Sequence, residues 1–307
     1  MEKVIVVIGP TSVGKTKMGV ALAKKFNGEV ISGDSMQIYK QMDIGTAKVT
    51  EEEKEGIIHH CVDILNPDET YSVHDFQQTV RKKITEITQR GHVPIIVGGT
   101  GLYIKAALYD YQFDEMENDH HAINEKYKDY TNEQLHDHLK SIDEESAKIL
   151  HFNNRRRVLR AIEIYEQTGQ KKSEMINEQE HICLYDAYFV GLTLPRDVLY
   201  ERINKRVDVM MENGLKEEME RLYSQGLTRN HQSMKAIGYK EWFDYYDHQI
   251  DLNDVLELIK KHSRQYAKRQ YTWFKNQFDV HWYDVNLENF EQTIEQVTDD
   301  IEKILKV

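Results

Sequence analysis

The segment GPTSVGKT, residues 9–16, most constrains the fold of this chain, because it matches G-x-x-x-x-G-K-[ST] directly after the apolar run VIVVI. A buried strand, a glycine-rich turn and a helix together bring backbone N–H groups and the positive helix end to one point. We therefore predict a phosphate-binding loop (P-loop). Its residues are Gly9, Pro10, Thr11, Ser12, Val13, Gly14, Lys15 and Thr16.

Two side chains of this loop have predicted roles of their own. The Lys15 ammonium would reach a terminal phosphate oxygen, and the Thr16 hydroxyl would ligate Mg²⁺. The loop recognises only a chain of phosphates, so the motif leaves open which phosphate ester is bound and what is transferred.

The hydrophobic pattern predicts an α/β protein. Strand-like runs at 4–9, 28–35, within HVPIIVGG and at 188–194 alternate with helical stretches, of which one ends near residue 26 and one spans 74–90. Such an order implies right-handed crossovers and a parallel sheet covered on both faces. Between 112 and 185 strand patterns give way to charged helical periodicity. We predict a P-loop NTPase-like parallel sheet flanked by helices from residues 1–111 and 186–307, with an all-helical insertion domain at 112–185.

Composition excludes some classes of function and leaves others open. No apolar run approaches the ~20 residues of a membrane span, so we expect no membrane partner. The two cysteines, Cys61 and Cys183, are far apart and belong to no metal-ligand spacing, so we expect a reduced, cytoplasmic protein. A net charge of −12 disfavours a nucleic-acid partner, yet residues 260–275 hold six Lys/Arg and no acid, and 153–161 hold four Arg and no acid. Such local patches can bind phosphates on an acidic protein.

Asp34 is the acidic residue that follows a predicted strand, in GDSMQIYK. The ends of parallel strands converge on the phosphate site, so this carboxylate could bind Mg²⁺ through water or act as a general base. A helix N-cap is the purely structural alternative. The other candidate strand end, PIIVGGTG, has no acid, and the sequence has no N-K-x-D motif of a GTPase.

The longer motifs carry a specific resemblance. In order they are GPTSVGKT, GDSMQIYKQMDIGTAK, IIHHCVDI, YSVHDF, VGGTGLYIKAAL, NNRRRVLRAIEIYEQTGQ, ERINKRVDVMMENGL, MKAIGYKEW and RQYAKRQYTWF. Over nearly its whole length the sequence resembles the bacterial tRNA dimethylallyltransferase family. The resemblance implies transfer of a dimethylallyl group from dimethylallyl diphosphate to the exocyclic amine of the adenosine 3′-adjacent to the anticodon, with release of pyrophosphate.

The resemblance also implies roles for individual residues. Asp34 would be the general base, Thr100 a further catalytic position and Arg206 a second cation on the pyrophosphate, with Arg202 as the competing choice. The residues implied to contact tRNA are Asp34, Ser35, Met36, Gln37, Thr100, Arg156, Arg157, Arg160, Lys235, Gly238, Lys240, Lys268, Arg269 and Lys275. Three aromatic residues, Tyr271, Trp273 and Phe274, would stack on bases.

The implied partners are the tRNA anticodon stem-loop and dimethylallyl diphosphate, with Mg²⁺ as cofactor. We expect no DNA partner and a monomer. Neither adjacent histidine pair, His59–His60 or His120–His121, is assigned to a metal, because neighbouring histidines cannot easily face one ion.

Other structural and functional interpretations of these features remain open. The basic segments also fit a solvated helix face with aromatic packing beneath it, and KAIGYK fits a helix start. A small-molecule kinase would share the P-loop and consume ATP, whereas a non-catalytic RNA-binding module would bind tRNA and form no product. A prenyltransferase acting on free AMP would share the chemistry but would not need the insertion or the basic segments.

Overall fold

Six parallel strands form one sheet in the computed structural model, which describes residues 1–111, 120–177 and 182–305. The order across the sheet is β3-β2-β4-β1-β5-β6. The strands are β1 (Lys3–Ile8), β2 (Gly28–Ser32), β3 (His59–His60), β4 (Val93–Gly98), β5 (Asp186–Thr193) and β6 (His281–Asp284). The prediction of a parallel sheet flanked by helices is confirmed.

The helices of the described residues alternate with these strands in the first part of the chain and dominate the rest. They are α1 (Lys15–Lys25), α2 (Glu51–Lys54), α3 (Val73–Gln89), α4 (Gly101–Leu108), α5 (His120–Lys126), α6 (Asn132–Ile142), α7 (Glu144–Ile149), α8 (Arg155–Thr168), α9 (Lys172–Asn177), α10 (Arg196–Glu212), α11 (Leu215–Ser224), α12 (Trp242–Tyr246), α13 (Leu252–Gln277) and α14 (Phe290–Leu305). Among them, none is both long enough and apolar enough to cross a bilayer.

The central strand β1 shows why the sheet must be covered on both faces. Its residues 4–8 are fully buried. Val4, Val6 and Ile8 pack into one hydrophobic cluster with residues of α3, α4 and α13, whereas Ile5 and Val7 pack into a second cluster with residues of α1 and α14. A continuous Val/Ile run buried on both faces is the expected signature of a central parallel strand.

The sequence analysis missed two strands, β3 and β6, which lie at the two edges of the sheet. The first contains only His59 and His60, paired with Val30 and Ile31. The second is HWYD, in which Tyr283 is buried and the other three residues are exposed or half-buried. Edge strands are often short and polar, so neither carries the apolar run by which the inner strands were identified.

His60 has a structural partner that accounts for one histidine of the 59–60 pair. Its Nε2 lies 2.6 Å from an oxygen of the buried Glu29, which also accepts from Arg90 and lies 2.7 Å from His92 Nδ1. Burial would raise the pKa of Glu29, but the hydrogen bonds from Arg90, His60 and His92 outweigh it and lower that pKa to about 2. This cluster lies at the start of β2, whereas the P-loop follows the end of β1.

The chain divides into two compact units, Met1–Tyr109 with Cys183–Val307, and Asp110–Ile182. Of the insertion domain predicted at 112–185, residues 112–119 and 178–181 lie outside the described part of the chain. The second unit has its own small core around Leu135, Leu139 and Val158. Arg155 supports this core by donating to the carbonyls of Tyr127 (2.6 Å) and Tyr130 (2.7 Å).

Phe274 tests the packing of α13 on the sheet, because its side chain is fully buried in the cluster that contains Val4 and Ile8. We expect Phe274→Ala to lower the free energy of unfolding by about 3–5 kcal/mol, since truncation leaves a cavity. Tyr271 is the control: it lies three residues earlier and is 39% exposed, so Tyr271→Ala should cost less than about 1 kcal/mol. Urea unfolding followed by circular dichroism measures both values, and equal losses would contradict this placement of α13.

Candidate active site

The P-loop connects β1 to α1 along a path that requires glycine at two positions. Gly9 has φ +146°, and a Cβ there would lie 2.6 Å from the carbonyl oxygen of Leu192. Gly14 has φ +107°, and its Cβ would lie 2.8 Å from the Phe290 ring. Gly14 is also the N-cap of α1 and offers no side-chain acceptor. The N–H groups of the first turn therefore remain available to an external anion.

Lys15 lies across the loop that precedes it. Its ammonium donates to the carbonyl oxygens of Gly9 (3.1 Å) and Pro10 (2.8 Å). Desolvation and, to a smaller extent, the Arg206 guanidinium lower the pKa of Lys15 to about 7 against the opposing effect of Asp34. A bound polyphosphate would place negative charge beside this side chain and favour its protonated form.

Two arginines of α10, one helical turn apart, reach the same loop. Arg206 is half-buried and points a guanidinium nitrogen at Thr11 Oγ1 (3.4 Å), and burial lowers its pKa. Arg202 is exposed, and its Nε donates to the carbonyl oxygen of Ser12 (3.0 Å). The structure thus brings both candidate pyrophosphate cations to the P-loop.

Asp34 follows β2 by two residues and forms a tight turn. Its Oδ1 accepts from the N–H groups of Met36 (2.8 Å) and Gln37 (3.4 Å). The segment that follows is made of turns and bends, and no helix begins before Glu51 in this described stretch. The N-cap alternative for Asp34 is therefore wrong.

Thr100 joins the loops that follow β2 and β4. Its N–H donates to the carbonyl of Gly33 (3.2 Å), and its Oγ1 accepts from the N–H of Ser35 (3.2 Å). A Cβ at Gly33 would lie 3.2 Å from the Ile104 side chain. A Cβ at Gly98 would lie 2.3 Å from the carbonyl oxygen of Gly33, so the absence of a side chain at position 98 lets the ends of β2 and β4 approach closely.

Two adjoining cavities open on Asp34. The larger, about 560 Å³, is lined by the P-loop and by cationic side chains: Lys15, Lys17, Arg202, Lys205 and Arg206. The smaller, about 330 Å³, is lined by many apolar side chains, including Met36, Ile203, Val207, Met210, Ile237 and Ile259. Both cavities share Thr11, Ser12, Asp34, Thr46, Ala47 and Arg206. A carboxylate thus lies where a cation-lined volume meets one whose lining combines apolar and polar side chains.

Comparison with known proteins places this geometry in a family. A family model described as IPP transferase matches residues 37–277. A tRNA dimethylallyltransferase from Bacillus cereus strain AH187 is 54% identical over 92% of this chain and 90% of its own length. One from Bacillus anthracis is also 54% identical, over 92% of this chain and 91% of its own length. The chain belongs to the IPP transferase family.

Solved structures agree with this membership. The crystal structure of a tRNA Δ2-isopentenylpyrophosphate transferase from Staphylococcus epidermidis has a TM-score of 0.74 and 47% identity, covering 99% of both chains. A eukaryotic dimethylallyltransferase acting on tRNA has a TM-score of 0.86 and 33% identity, covering 99% of this chain and 79% of that one. Both covered shares include the P-loop region, which precedes the stretch matched by the IPP transferase family model.

The residues predicted to contact tRNA fall into separate groups. Ser35 and Met36 line the smaller cavity, and Gln37 lines the larger one. The exposed side chains Lys235, Lys240 and Arg269 line the smaller cavity as well, and Lys268 and Lys275 are exposed elsewhere on α13. In the separate unit Asp110–Ile182, Arg156 and Arg157 are exposed on α8, while Arg160 forms an ion pair with the buried Glu163 (2.8 Å).

Two residues implied to touch RNA have packing roles instead. Gly238 is buried with φ +98°, and a Cβ there would lie 3.2 Å from the carbonyl oxygen of Gly45; this burial argues against direct contact with tRNA. Phe274 is fully buried, so the prediction that it stacks on a base is wrong. Trp273 is half-buried against Gly101, and Tyr271 remains exposed.

Sequence reasoning missed Glu218, a buried carboxylate that shapes one wall of the site. It accepts from the N–H groups of Asp43 (2.9 Å), Ile44 (2.9 Å) and Gly45 (3.1 Å) and from the hydroxyl of Tyr239 (2.6 Å). These bonds hold the start of the loop whose next residues line both cavities. A glutamate within an amphipathic helix gives no sequence signal for this role, because its partners are backbone groups about 175 residues away.

A proton-uptake measurement tests the state of Lys15. Because its pKa is about 7 without an anion, most Lys15 is neutral at pH 8, and a bound diphosphate should restore the charge. We expect dimethylallyl diphosphate to bind with uptake of close to one proton at pH 8, and its affinity to fall as the pH rises above 7. Calorimetry in two buffers of different ionisation enthalpy measures this uptake.

Lys15→Met supplies the control for that measurement. It should bind the diphosphate at least about tenfold more weakly, without the proton uptake. Uptake that persists in this variant would assign the titration to another group.

Proposed function

We propose that this protein transfers the dimethylallyl group of dimethylallyl diphosphate to the exocyclic amine of the adenosine 3′-adjacent to the anticodon in tRNA, releasing pyrophosphate. The observation that carries the proposal is the position of Asp34 between a cation-lined P-loop cavity and a second cavity whose lining combines apolar side chains with polar and cationic ones. The names of the relatives, tRNA dimethylallyltransferases from two Bacillus species, support the same reaction.

The P-loop side of the site suits the leaving group. As the bond between the allylic carbon and the diphosphate oxygen breaks, negative charge develops on the pyrophosphate. Backbone N–H groups, Lys15 and Arg206 would stabilise this charge, and Arg202 would add a second guanidinium at the exposed side. Nothing in this step requires a protein nucleophile, because the acceptor amine attacks the allylic carbon directly.

The Asp34 side of the site suits the acceptor. An exocyclic adenine amine is a poor nucleophile, so a carboxylate that accepts its proton as the N–C bond forms lowers the barrier. The Met36 N–H fixes one oxygen of Asp34 (2.8 Å) and thereby orients the carboxylate. The apolar side chains of the smaller cavity would keep water from the allylic carbon, which becomes carbocation-like in the transition state.

The side chains present also fit a role for Mg²⁺. The described residues contain no cluster of three or more His, Cys, Asp or Glu that could hold a metal, but Mg²⁺ in phosphate sites keeps several waters and needs few protein ligands. The Thr16 hydroxyl would be its protein ligand, in a cavity that Asp34 and Glu53 also line. When bound, the ion would neutralise part of the diphosphate charge.

The acceptor RNA would bind through exposed cations. Lys268, Arg269 and Lys275 on α13, with Lys235 and Lys240 near the smaller cavity, would contact phosphates, and Arg156 and Arg157 would do so from the insertion unit. The target base must leave its stack to reach Asp34. This costs less in a single-stranded loop than in a duplex, which favours an anticodon loop over DNA.

A labelling experiment tests the reaction. The protein is incubated with Mg²⁺ and radiolabelled dimethylallyl diphosphate, with unmodified tRNA in one tube and AMP in another. We expect label in tRNA alone, and its loss when EDTA removes the metal. Label in AMP would change the acceptor, and no label in either tube would refute the transferase proposal.

Asp34→Asn tests the general base without disturbing the turn, because an amide oxygen can still accept from the Met36 N–H. We expect kcat to fall by about 10²–10⁴ while tRNA affinity changes less than about threefold. Asp68→Asn, at an exposed carboxylate outside both cavities, should leave both values unchanged. Equal losses of tRNA binding and turnover in Asp34→Asn would contradict the role as base.

A further inference from the structure

The side-chain amide of Gln270 bridges two catalytic loops. The Thr11 N–H of the P-loop donates to Gln270 Oε1 (2.9 Å), and Gln270 Nε2 donates to the carbonyl oxygen of Gly99 (3.0 Å). Gln270 is 5% exposed. Since the N–H group can only donate and the carbonyl can only accept, these partners fix the orientation of the amide.

Gln270 belongs to the buried face of α13. Tyr266, one turn earlier, donates its hydroxyl to the same Gly99 oxygen (3.3 Å), and desolvation raises its pKa to about 12. Trp273 packs so closely on Gly101 that a Cβ there would lie 2.2 Å from its ring. Three side chains therefore pack α13 against residues 99–101, which follow β4. Of these three, Gln270 also bonds to the P-loop.

The exposed face of the same helix carries Lys268 and Lys275, with Arg269 beside the smaller cavity. At 100° per residue, positions 268 and 275 lie about 160° and 140° from position 270 around the helix. One helix thus presents exposed cations on one side and a hydrogen-bond bridge to the P-loop on the other.

We propose that Gln270 is a positioning residue that couples RNA binding on α13 to diphosphate binding at the P-loop. The inference rests on the proposed function. RNA phosphates on the exposed cations restrict α13, and through Gln270 they restrict Thr11 and Gly99. The contacts that hold the P-loop are then reinforced before the diphosphate arrives, so each ligand tightens the binding of the other by the same factor.

Affinity measurements with and without RNA test this coupling. The titrant is dimethylallyl diphosphate with Mg²⁺, and the RNA is an anticodon stem-loop whose target adenosine is replaced by inosine, which lacks the reacting amine. We expect saturating RNA to tighten diphosphate binding at least about fivefold. In Gln270→Met, which keeps the length of the side chain but neither hydrogen bond, the two affinities should differ less than about twofold.

Gln265→Met is the matched control, since Gln265 is exposed on the same helix and should keep the coupling of the unmodified protein. A residue with only a stabilising role would lower Tm or weaken both affinities without changing their ratio. Full coupling in Gln270→Met, or independent binding of the two ligands in the unmodified protein, would overturn the inference and leave the transferase proposal intact. Failure of the unmodified protein to bind either ligand would overturn both.

Discussion

The site depends on keeping a bare loop of backbone N–H groups in one conformation when no anion fills it. Three kinds of contact do this. Gly9 packs against the end of β5, and the Lys15 ammonium donates to the Gly9 and Pro10 carbonyls. Gln270 accepts from the Thr11 N–H. Each satisfies or fixes a backbone group that would otherwise reorganise on binding, and a preorganised set of donors stabilises developing charge without that reorganisation.

The positive charges around this loop oppose one another in the absence of substrate. The Arg206 guanidinium lowers the pKa of Lys15. Burial lowers the pKa of Arg206 itself, and the nearby Arg202 lowers it by a smaller amount. Asp34 and Glu53 offset this repulsion locally, and in the proposed reaction Asp34 would also serve the acceptor. Under the proposed function, a bound diphosphate would relieve the repulsion, and the departing pyrophosphate, with its greater charge, would be held more strongly than the ester.

The sequence predicted the features that local patterns encode. The P-loop, the inner strands and the helices at 15–25 and 73–89 follow from contiguous motifs and apolar periodicity. Asp34 was predicted because strand ends converge on the phosphate site, whereas Thr100 came from the family resemblance. The edge strands β3 and β6 were not predicted, because neither the two histidines of β3 nor the HWYD of β6 forms an apolar run. Gln270 and Glu218 escaped for another reason: their partners are backbone groups 259 and about 175 residues away, and backbone groups carry no sequence signal.

The aromatic and basic residues of α13 show that the family resemblance does not distinguish exposed from buried positions. The resemblance implies RNA contacts for both the basic and the aromatic residues of RQYAKRQYTWF, yet helical geometry divides this motif between two faces. Lys268 and Lys275 are exposed, whereas Gln270 and Phe274, four residues apart, are buried. On a protein of net charge −12, exposed cations act only within about a Debye length of 8–10 Å. The buried face must therefore fix where those cations lie relative to the P-loop, and the packing of Phe274 and the bridge made by Gln270 are what set that distance.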